Sequence, residues 1–262
     1  MPERHRLLLV DNSNSFTKVA LSDGDRILQR RKMPTRDISD GSLAKILRGW
    51  RFDRIVICSV VPEKLKTLVR FLETDGPVLT LSPKLDLGIG IDYPKPASIG
   101  GDRLANAIAA AELYGAPAVV VDFGTAVTFD ILSSDRKYIG GVIAPGLEVM
   151  TDYLHQRTAL LPKVTLSEPV SVIGRSTKEA MLAGAVHGYR GLISQILTEI
   201  RAELKAGRKL HIVATGGYAD LIADRLPALK NVNPDLTLEG LRIVARRNPI
   251  PTHQLNNNSC IP

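Results

Sequence analysis

Short apolar runs alternate with longer amphipathic segments along most of the chain, and many of the runs end in Asp, Ser or Gly. This alternation is typical of proteins in which brief strands follow helices. The predicted strands are Leu7–Val10, Thr17–Leu21, Ile55–Cys58, Val78–Leu81, Ala118–Val121, Thr128–Leu132, Gly141–Ala144 and Leu210–Ala214. Because strands and helices both recur throughout, we predict an α/β fold class.

Two longer segments, Asp102–Leu113 and Thr177–Leu204, carry apolar residues at the spacing of one helix face. Both are predicted to be helices. The second contains Gly184, Gly188 and Gly191, which lower helix propensity but allow another backbone to approach closely. We therefore expect tight packing on this helix, including packing between subunits.

The chain also contains an internal repeat. When the chain is shifted so that Asp11 falls on Asp122, two units superimpose, each with an apolar strand, an Asp, a turn of small residues and a second strand. The repeat predicts two related halves, which we assign to residues 1–116 and 117–247. Residues 248–262 are rich in Pro and Asn, so they are predicted to form a tail.

Composition excludes several classes of protein. The chain has 262 residues, of which 44% are hydrophobic and 23% are charged, so a disordered chain is excluded. The net charge of +7 suits an anionic small molecule as well as a nucleic acid. Since the chain has one Trp and no dense basic stripe, a nucleic-acid partner fits worst.

The expected location is the cytoplasm. Cys58 and Cys260 lie too far apart in sequence to indicate a disulfide framework or a zinc site. The first apolar run, Leu7–Val10, is too short for a signal sequence. No apolar run approaches the roughly 20 residues of a membrane span, so we expect no membrane partner.

Familiar nucleotide and metal motifs are absent from the sequence. The chain has no G-x-x-x-x-G-K-[ST] phosphate loop, and Gly88-Ile-Gly90 lacks the third glycine of a dinucleotide-binding site. The five histidines are scattered without metal-ligand spacing. A site for phosphates must therefore use other residues.

The two repeated turns, Asp11–Lys18 and Asp122–Thr128, are the candidates for phosphate binding. Small residues let the backbone approach a polyphosphate, and N–H groups and hydroxyls can donate to its oxygens. An Asp at the end of a strand can hold a cation or its waters. The same residues are favoured in ordinary hairpin turns, but their occurrence in both halves favours a shared function.

A third cluster, Gly100-Gly-Asp-Arg103, precedes the first predicted helix. Glycines at a helix start leave N–H groups accessible to an anion, and they place Asp102, a possible base, beside Arg103, a possible anion clamp. The alternative is an Asp that only caps the helix.

Six blocks of sequence, taken together, resemble type III pantothenate kinases, in the order of that family. They are Asp11-x-x-Asn-Ser15, Gly100-Gly-Asp-Arg103, Asp122-Phe-Gly-Thr-Ala126, Gly140–Gly146, Gly174–Thr177 and Thr215-Gly-Gly217. The family belongs to the superfamily of acetate and sugar kinases, heat-shock protein 70 and actin. The resemblance implies two duplicated actin-like, ribonuclease H-like domains with mixed sheets around a nucleotide cleft, usually in a homodimer.

The resemblance also implies the reaction, the ATP-dependent phosphorylation of pantothenate to 4′-phosphopantothenate, which is the first step of coenzyme A biosynthesis. The implied ATP-binding residues are Asp11, Asn12, Ser13, Asn14, Ser15, Phe16, Thr17, Lys18 and Thr125. The implied pantothenate-binding residues are Tyr93, Gly100, Gly101, Asp102, Arg103 and Thr177. Asp102 would be the proton acceptor, Asp122 would bind K⁺ or NH₄⁺, and Mg²⁺ would accompany ATP.

One residue departs from the family pattern, since Ser13 stands where the family usually has glycine. If this position needs a positive φ, the serine adds strain of about 1 kcal/mol or more, and ATP binding weakens. Two other functions stay open, because the acceptor is identified only by the resemblance and because Ser13 departs from the family pattern. One is a kinase for another small hydroxylated acceptor. The other is a non-catalytic nucleotide-binding regulator, which only Ser13 favours.

Overall fold

The computed structural model describes residues 6–249, which divide into two compact units. Unit 1 contains the residues up to Ile89, Lys95–Ile108 and those from Thr237 onward. Unit 2 contains Gly90–Pro94 and Ala109–Leu236. No helix in the described residues is long and apolar enough to cross a membrane.

The described residues form strands and helices in mixed order, as expected of an α/β protein. The strands are β1 (Leu7–Asn12), β2 (Phe16–Ser22), β3 (Ile27–Pro34), β4 (Arg54–Ser59), β5 (Val78–Thr80), β6 (Gly90–Ile91), β7 (Ala118–Phe123), β8 (Ala126–Leu132), β9 (Lys137–Pro145), β10 (His211–Gly216) and β11 (Asn231–Val232). The α-helices are α1 (Asp40–Ile46), α2 (Pro62–Leu72), α3 (Gly101–Leu113), α4 (Leu147–Arg157), α5 (Thr177–Glu203), α6 (Ala219–Ala223) and α7 (Leu236–Arg247).

Unit 1 is built on a five-stranded sheet in the order β3-β2-β1-β4-β5. β1 pairs antiparallel with β2 and parallel with β4, so the sheet is mixed. Buried residues of β1 and β4, including Leu8 and Ile55, form one hydrophobic core with Leu43 of α1 and Leu68 of α2. This core holds the end of β1, where the first repeated turn begins.

Unit 2 repeats this topology. Its sheet has the order β11-β10-β7-β8-β9-β6. β8 pairs antiparallel with both β7 and β9, and β10 pairs parallel with β7. Apart from β6, each strand of unit 2 has a counterpart in unit 1, and β7 to β11 correspond in order to β1 to β5. Phe123 and Phe129 of the sheet pack in one core with Tyr189 and Ile193 of α5. The internal repeat predicted from the sequence is therefore confirmed.

All of the predicted strands are present, and most extend by one to four residues at one end or at both. Both predicted helices are also confirmed, as α3 and α5. The prediction omitted β3, a strand with Arg30, Arg31 and Lys32 in succession. Such charges are common on an edge strand, where they discourage pairing with another chain, and they hide the alternation that identifies a strand. The division at residues 116 and 247 stays a prediction, and residues 250–262 of the predicted tail lie outside the described residues.

The last helix, α7, packs into unit 1 against α3. A Cβ atom added to Gly240 would lie 2.0 Å from the backbone oxygen of Ala105. Beside this contact, Thr237 Oγ1 donates a hydrogen bond of 2.8 Å to Asn106 Oδ1, and both residues are buried. Only glycine fits at position 240 in this packing.

We expect Gly240→Ala to lower the free energy of unfolding by about 1–3 kcal/mol or more, because the added methyl group overlaps a backbone atom. Gly41→Ala is the matched control in unit 1, since Gly41 is also helical and an added Cβ there would meet only open space. Denaturant titration followed by circular dichroism measures both. Equal stability of the two variants would contradict the close packing of α3 and α7.

Candidate active site

The first repeated turn of unit 1 joins β1 to β2 through residues 13–15. The Ser13 N–H donates to the Phe16 oxygen at 3.2 Å and closes the turn. The Ser13 hydroxyl donates to Asp11 Oδ1 at 2.8 Å. Asp11 is only 4% exposed, whereas Asn14 and Ser15 face solvent. The exposed part of the turn thus offers N–H groups and a hydroxyl above a buried carboxyl group.

A buried network supports this turn from below. Ser59 Oγ donates to Asn12 Oδ1 at 2.6 Å, and Asn12 Nδ2 donates to Thr17 Oγ1 at 2.8 Å. Thr17 Oγ1 is also within 2.9 Å of Thr35 Oγ1, and Thr35 Oγ1 donates to the Ser13 carbonyl at 2.6 Å. Asn12 and Thr17 therefore hold the loop in place. On β2, the partly exposed Lys18 lies opposite Asp11 in the strand register.

The condition for backbone strain at Ser13, a positive φ, is not met. Among residues 6–249, the non-glycine residues with positive φ are Arg136 and Lys205, so Ser13 does not adopt the left-handed conformation. Its side chain instead bonds to Asp11, as described above. A serine at this position is compatible with the turn and adds a contact that glycine would lack.

A residue that the sequence analysis did not assign to the site, Cys58, lies between two candidate carboxylates. It faces Asp11 in the parallel register of β4 and β1, and its Sγ donates to Asp11 Oδ1 at 3.8 Å. A Cβ at Gly101, at the start of α3, would lie 3.1 Å from Cys58 Cβ. Burial, followed by the negative charges of Asp11 and Asp102, raises the pKa of the Cys58 thiol well above its ordinary value. The thiol therefore stays protonated and acts as a donor.

The Gly100–Arg103 block forms the beginning of α3 in unit 1. Asp102 lies in the first helical turn, and its Oδ1 accepts a hydrogen bond of 2.8 Å from the Arg103 N–H. Because the helix begins at Gly101, Asp102 lies inside the helix and not at the residue that precedes it. Asp102 and Arg103 are partly exposed. Asp11 and Asp102 are brought together around Cys58.

In unit 2, two glycine-containing segments, at Gly146 and Gly216, approach the second repeated turn. The turn Gly124-Thr125 joins β7 to β8, and both of its residues are exposed. The Gly146 N–H donates to the Thr125 oxygen at 3.2 Å. Gly216 has a φ of +96°, and a Cβ there would lie 2.6 Å from Asp122 Oδ1. A side chain at position 216 would displace Asp122, so glycine is required for this arrangement.

The beginning of α4 is attached to the same region. The Tyr218 hydroxyl, two residues after Gly216, donates a hydrogen bond to the Glu148 carboxylate in the first turn of α4. Burial raises the pKa of Tyr218 above its ordinary value, and the hydrogen bond to Glu148 raises it further. The neutral hydroxyl therefore joins the Thr215–Gly217 segment to α4. Neither residue belongs to a short motif, and only the fold reveals the pair.

The two remaining predicted site residues lie on different elements of unit 2. Tyr93 follows β6 and is partly exposed, and its ring contacts the Tyr138 ring edge to face with centroids 6.0 Å apart. Thr177 is the exposed first residue of α5, where Ser176 Oγ accepts a hydrogen bond from the Glu179 N–H at 3.2 Å. Each side chain is accessible to a small ligand.

No group of three or more His, Cys, Asp or Glu side chains in the described part of the chain could hold a metal ion. Asp122 is nevertheless a half-buried carboxyl group beside the exposed backbone of Gly124 and Thr125. One carboxylate with neighbouring backbone oxygens is a suitable set of donors for a hard cation, with waters and phosphates as the remaining ligands.

Comparison with known proteins identifies the family. The family model for type III pantothenate kinase matches residues 7–199. A type III pantothenate kinase of Akkermansia muciniphila is 52% identical over 242 residues, which is 92% of this chain and 98% of that protein. One of Methylacidiphilum infernorum is 44% identical over 239 residues, which is 91% of this chain and 87% of that protein.

Solved structures agree on the fold. A Campylobacter jejuni protein described as a Baf family transcriptional activator aligns with a TM-score of 0.57 and 20% identity, covering 91% of this chain and 97% of that one. The ethanolamine utilization protein EutJ of Carboxydothermus hydrogenoformans gives a TM-score of 0.53 and 13% identity, covering 91% and 89%. Such low identities show the fold alone, which is the duplicated actin-like fold.

The curated relatives cover nearly the whole chain, and their shared activity is the ATP-dependent phosphorylation of pantothenate in coenzyme A biosynthesis, with Mg²⁺ accompanying ATP. The matched family model and these relatives together show that the chain belongs to the type III pantothenate kinase family.

Proposed function

We propose that Asp102 is the proton acceptor of this kinase. Asp102 would take the proton of the primary hydroxyl of pantothenate as the hydroxyl oxygen attacks the γ-phosphorus of ATP, and the bond from that phosphorus to ADP would break. The observation that carries the proposal is the placement of Asp102 in unit 1. It lies partly exposed in the first turn of α3, directly after Gly101, where an added Cβ would be 3.1 Å from Cys58 Cβ, and Cys58 in turn donates to Asp11.

Arg103 and the start of α3 would bind negative charge next to this base. Gly100 and Gly101 add no side chains of their own at the beginning of the helix, and the N-terminus of a helix favours anions. Arg103 would neutralise the carboxylate of pantothenate or the phosphoryl group in transfer. We assign Tyr93 and Thr177 of unit 2 to pantothenate as well, because both are accessible polar side chains.

ATP would contact the two repeated turns. In the first turn, Asn14, Ser15 and Phe16 are exposed, while Asn12 and Thr17 keep the turn in shape through their hydrogen bonds. Ser13 would keep the turn closed through its bonds to Phe16 and Asp11, with Asp11 and Lys18 at the base of the turn. In the second turn, Thr125 is exposed and would donate its hydroxyl to a phosphate oxygen. Asp122 would hold the monovalent cation, K⁺ or NH₄⁺.

The regulator hypothesis has lost its support. Only Ser13 favoured it, and Ser13 does not have the positive φ that would strain the turn, while the relatives that match this chain are kinases. A kinase for a different small acceptor would use the same fold, so the product of the reaction decides between acceptors. We propose a cytoplasmic location, because Cys58 is a free buried thiol and free thiols persist in reducing compartments.

We also propose a homodimer that forms through one surface of unit 2, here called the α4–α5 surface. The exposed apolar side chains of α4 are Val149, Tyr153 and Leu154, and unit 2 exposes further ones at Ile143, Leu160, Val170, Val172 and Ile173. On α5, Gly184, Gly188 and Gly191 are exposed with open space above them, and α4 contacts α5. Exposed apolar groups in such number mark an interaction surface, and glycines would let a second copy approach the helix closely.

The first test is mass spectrometry of the products formed from pantothenate and Mg-ATP. Wild-type protein should produce 4′-phosphopantothenate, whereas Asp102→Asn should reduce kcat by about 10²–10⁴-fold with ATP affinity within about twofold, since only the base is lost. Asp40→Asn, in the first turn of α1, is the matched control and should keep full activity. A near-normal kcat for Asp102→Asn would remove Asp102 from the role.

The cation site is tested by exchanging K⁺ for Na⁺ in the same reaction. We expect much less product in Na⁺, because the smaller Na⁺ gives up its hydration waters less readily and would be held less well by a site that fits K⁺. Asp122→Asn should lose most activity in K⁺ and should no longer distinguish the two ions. If the variant still distinguishes K⁺ from Na⁺, the cation binds elsewhere.

Light scattering tests the dimer. The wild-type protein should show twice the chain mass of 28.5 kDa. Gly188→Glu should give the mass of one chain, because it places a charged side chain on the α4–α5 surface. Gly41→Glu, at an exposed helical glycine of unit 1, is the control and should not change the mass. A wild-type monomer, or a dimeric Gly188→Glu variant, would contradict this interface.

A further inference from the structure

Unit 2 contains a fully buried carboxyl group that the proposed reaction does not use. Asp130 on β8 is 0% exposed. Its Oδ1 accepts a hydrogen bond of 3.3 Å from the Tyr138 hydroxyl, and its Oδ2 accepts one of 3.4 Å from Thr128 Oγ1. A carboxyl group is unfavourable in the interior unless such bonds compensate for lost water. An apolar residue would fill this core position at lower cost, so a role for the carboxyl group is expected.

The Tyr138 side chain connects this carboxyl group to the segment that contains Tyr93. Tyr138 is also 0% exposed, so its ring is enclosed by other protein atoms and does not contact solvent. Its ring meets the Tyr93 ring edge to face at an interplanar angle of 73°. Edge-to-face pairs are directional, because the positive edge of one ring faces the negative face of the other. The orientation of Tyr138 therefore influences that of Tyr93.

The backbone reinforces the same connection. β6 pairs parallel with β9, with Ile91 opposite Tyr138. The Asp92 N–H donates to the Tyr138 carbonyl at 2.9 Å. Tyr138 thus holds the short segment before Tyr93 with its backbone and the Tyr93 ring with its side chain. Tyr93 keeps a partly exposed face for a ligand.

We propose that Asp130 and Tyr138 are positioning residues for pantothenate: Asp130 fixes the Tyr138 ring, and Tyr138 fixes the ring of Tyr93. This inference rests on the proposed contact of Tyr93 with pantothenate. It extends the acceptor site to a buried layer of β8 and β9. Since neither residue belongs to the turns assigned to ATP, their effect should be confined to the acceptor.

The test is steady-state kinetics of Tyr138→Phe, which removes only the hydroxyl group. We expect the KM for pantothenate to rise about fivefold or more, as for a lost hydrogen bond to a buried group. The KM for ATP and kcat should stay within about twofold. Tyr114→Phe is the control, because the Tyr114 hydroxyl also has a hydrogen-bond partner in unit 2, Asn233 Nδ2 at 3.3 Å. It should change none of these parameters.

Asp130→Asn provides a second variant of equal size, useful if Tyr138→Phe folds poorly by circular dichroism. If Asp130 acts through Tyr138, the double variant should raise the KM for pantothenate no more than the stronger single variant does. Additive effects, an equal rise in both KM values, or an unchanged KM for pantothenate in both single variants would overturn the inference. A general loss of structure would not affect one substrate selectively.

Tyr93→Ala in the same assay separates this inference from the proposed site. If Tyr93→Ala raises the KM for pantothenate and the two buried variants do not, only the positioning role fails. If Tyr93→Ala has no effect, the proposed contact with pantothenate is wrong, and the positioning role fails with it. Calorimetric binding of pantothenate without ATP gives an independent measure of the same affinity and should follow the KM.

Discussion

The close approach of a glycine backbone to the end of a central strand is the constraint on which both units depend. In unit 1, Gly101 brings the beginning of α3 against Cys58, which lies beside Asp11. In unit 2, Gly216 brings the end of β10 against Asp122. A side chain at Gly216 would displace Asp122, and one at Gly101 would press on Cys58, which donates to Asp11. The positions of Cys58 and Asp122 therefore depend on the absence of a side chain at these two glycines.

Electrostatics explains why a thiol suits the position between Asp11 and Asp102. A third carboxylate there would repel both, and a positive side chain would neutralise their charges. The thiol is buried and its pKa is raised, so it stays neutral and donates to Asp11. Cys58 thus lets two acidic side chains lie near one another without adding charge.

The sequence was sufficient to predict features that depend on local pattern. Apolar runs located the main strands, and the two Asp turns revealed the repeat. Features that depend on distant partners were missed. The charged strand β3 is held partly by Arg31, whose guanidinium lies 4.4 Å from the centre of the Trp50 ring, and no local signal marks that contact. Cys58 became relevant only when the parallel register placed it beside Asp11.

The two units differ in one strand that is not part of the repeat. Their five common strands have the same order, and β6 is the strand of unit 2 that has no counterpart in unit 1. This addition leads directly into Tyr93 and is held by Tyr138, whose hydroxyl contacts the buried Asp130. A duplicated fold can place two similar turns near phosphates, but it cannot by itself distinguish one acceptor from another. We infer that acceptor selection in unit 2 depends on β6, the strand outside the repeat, and on the buried pair of β8 and β9 that supports it.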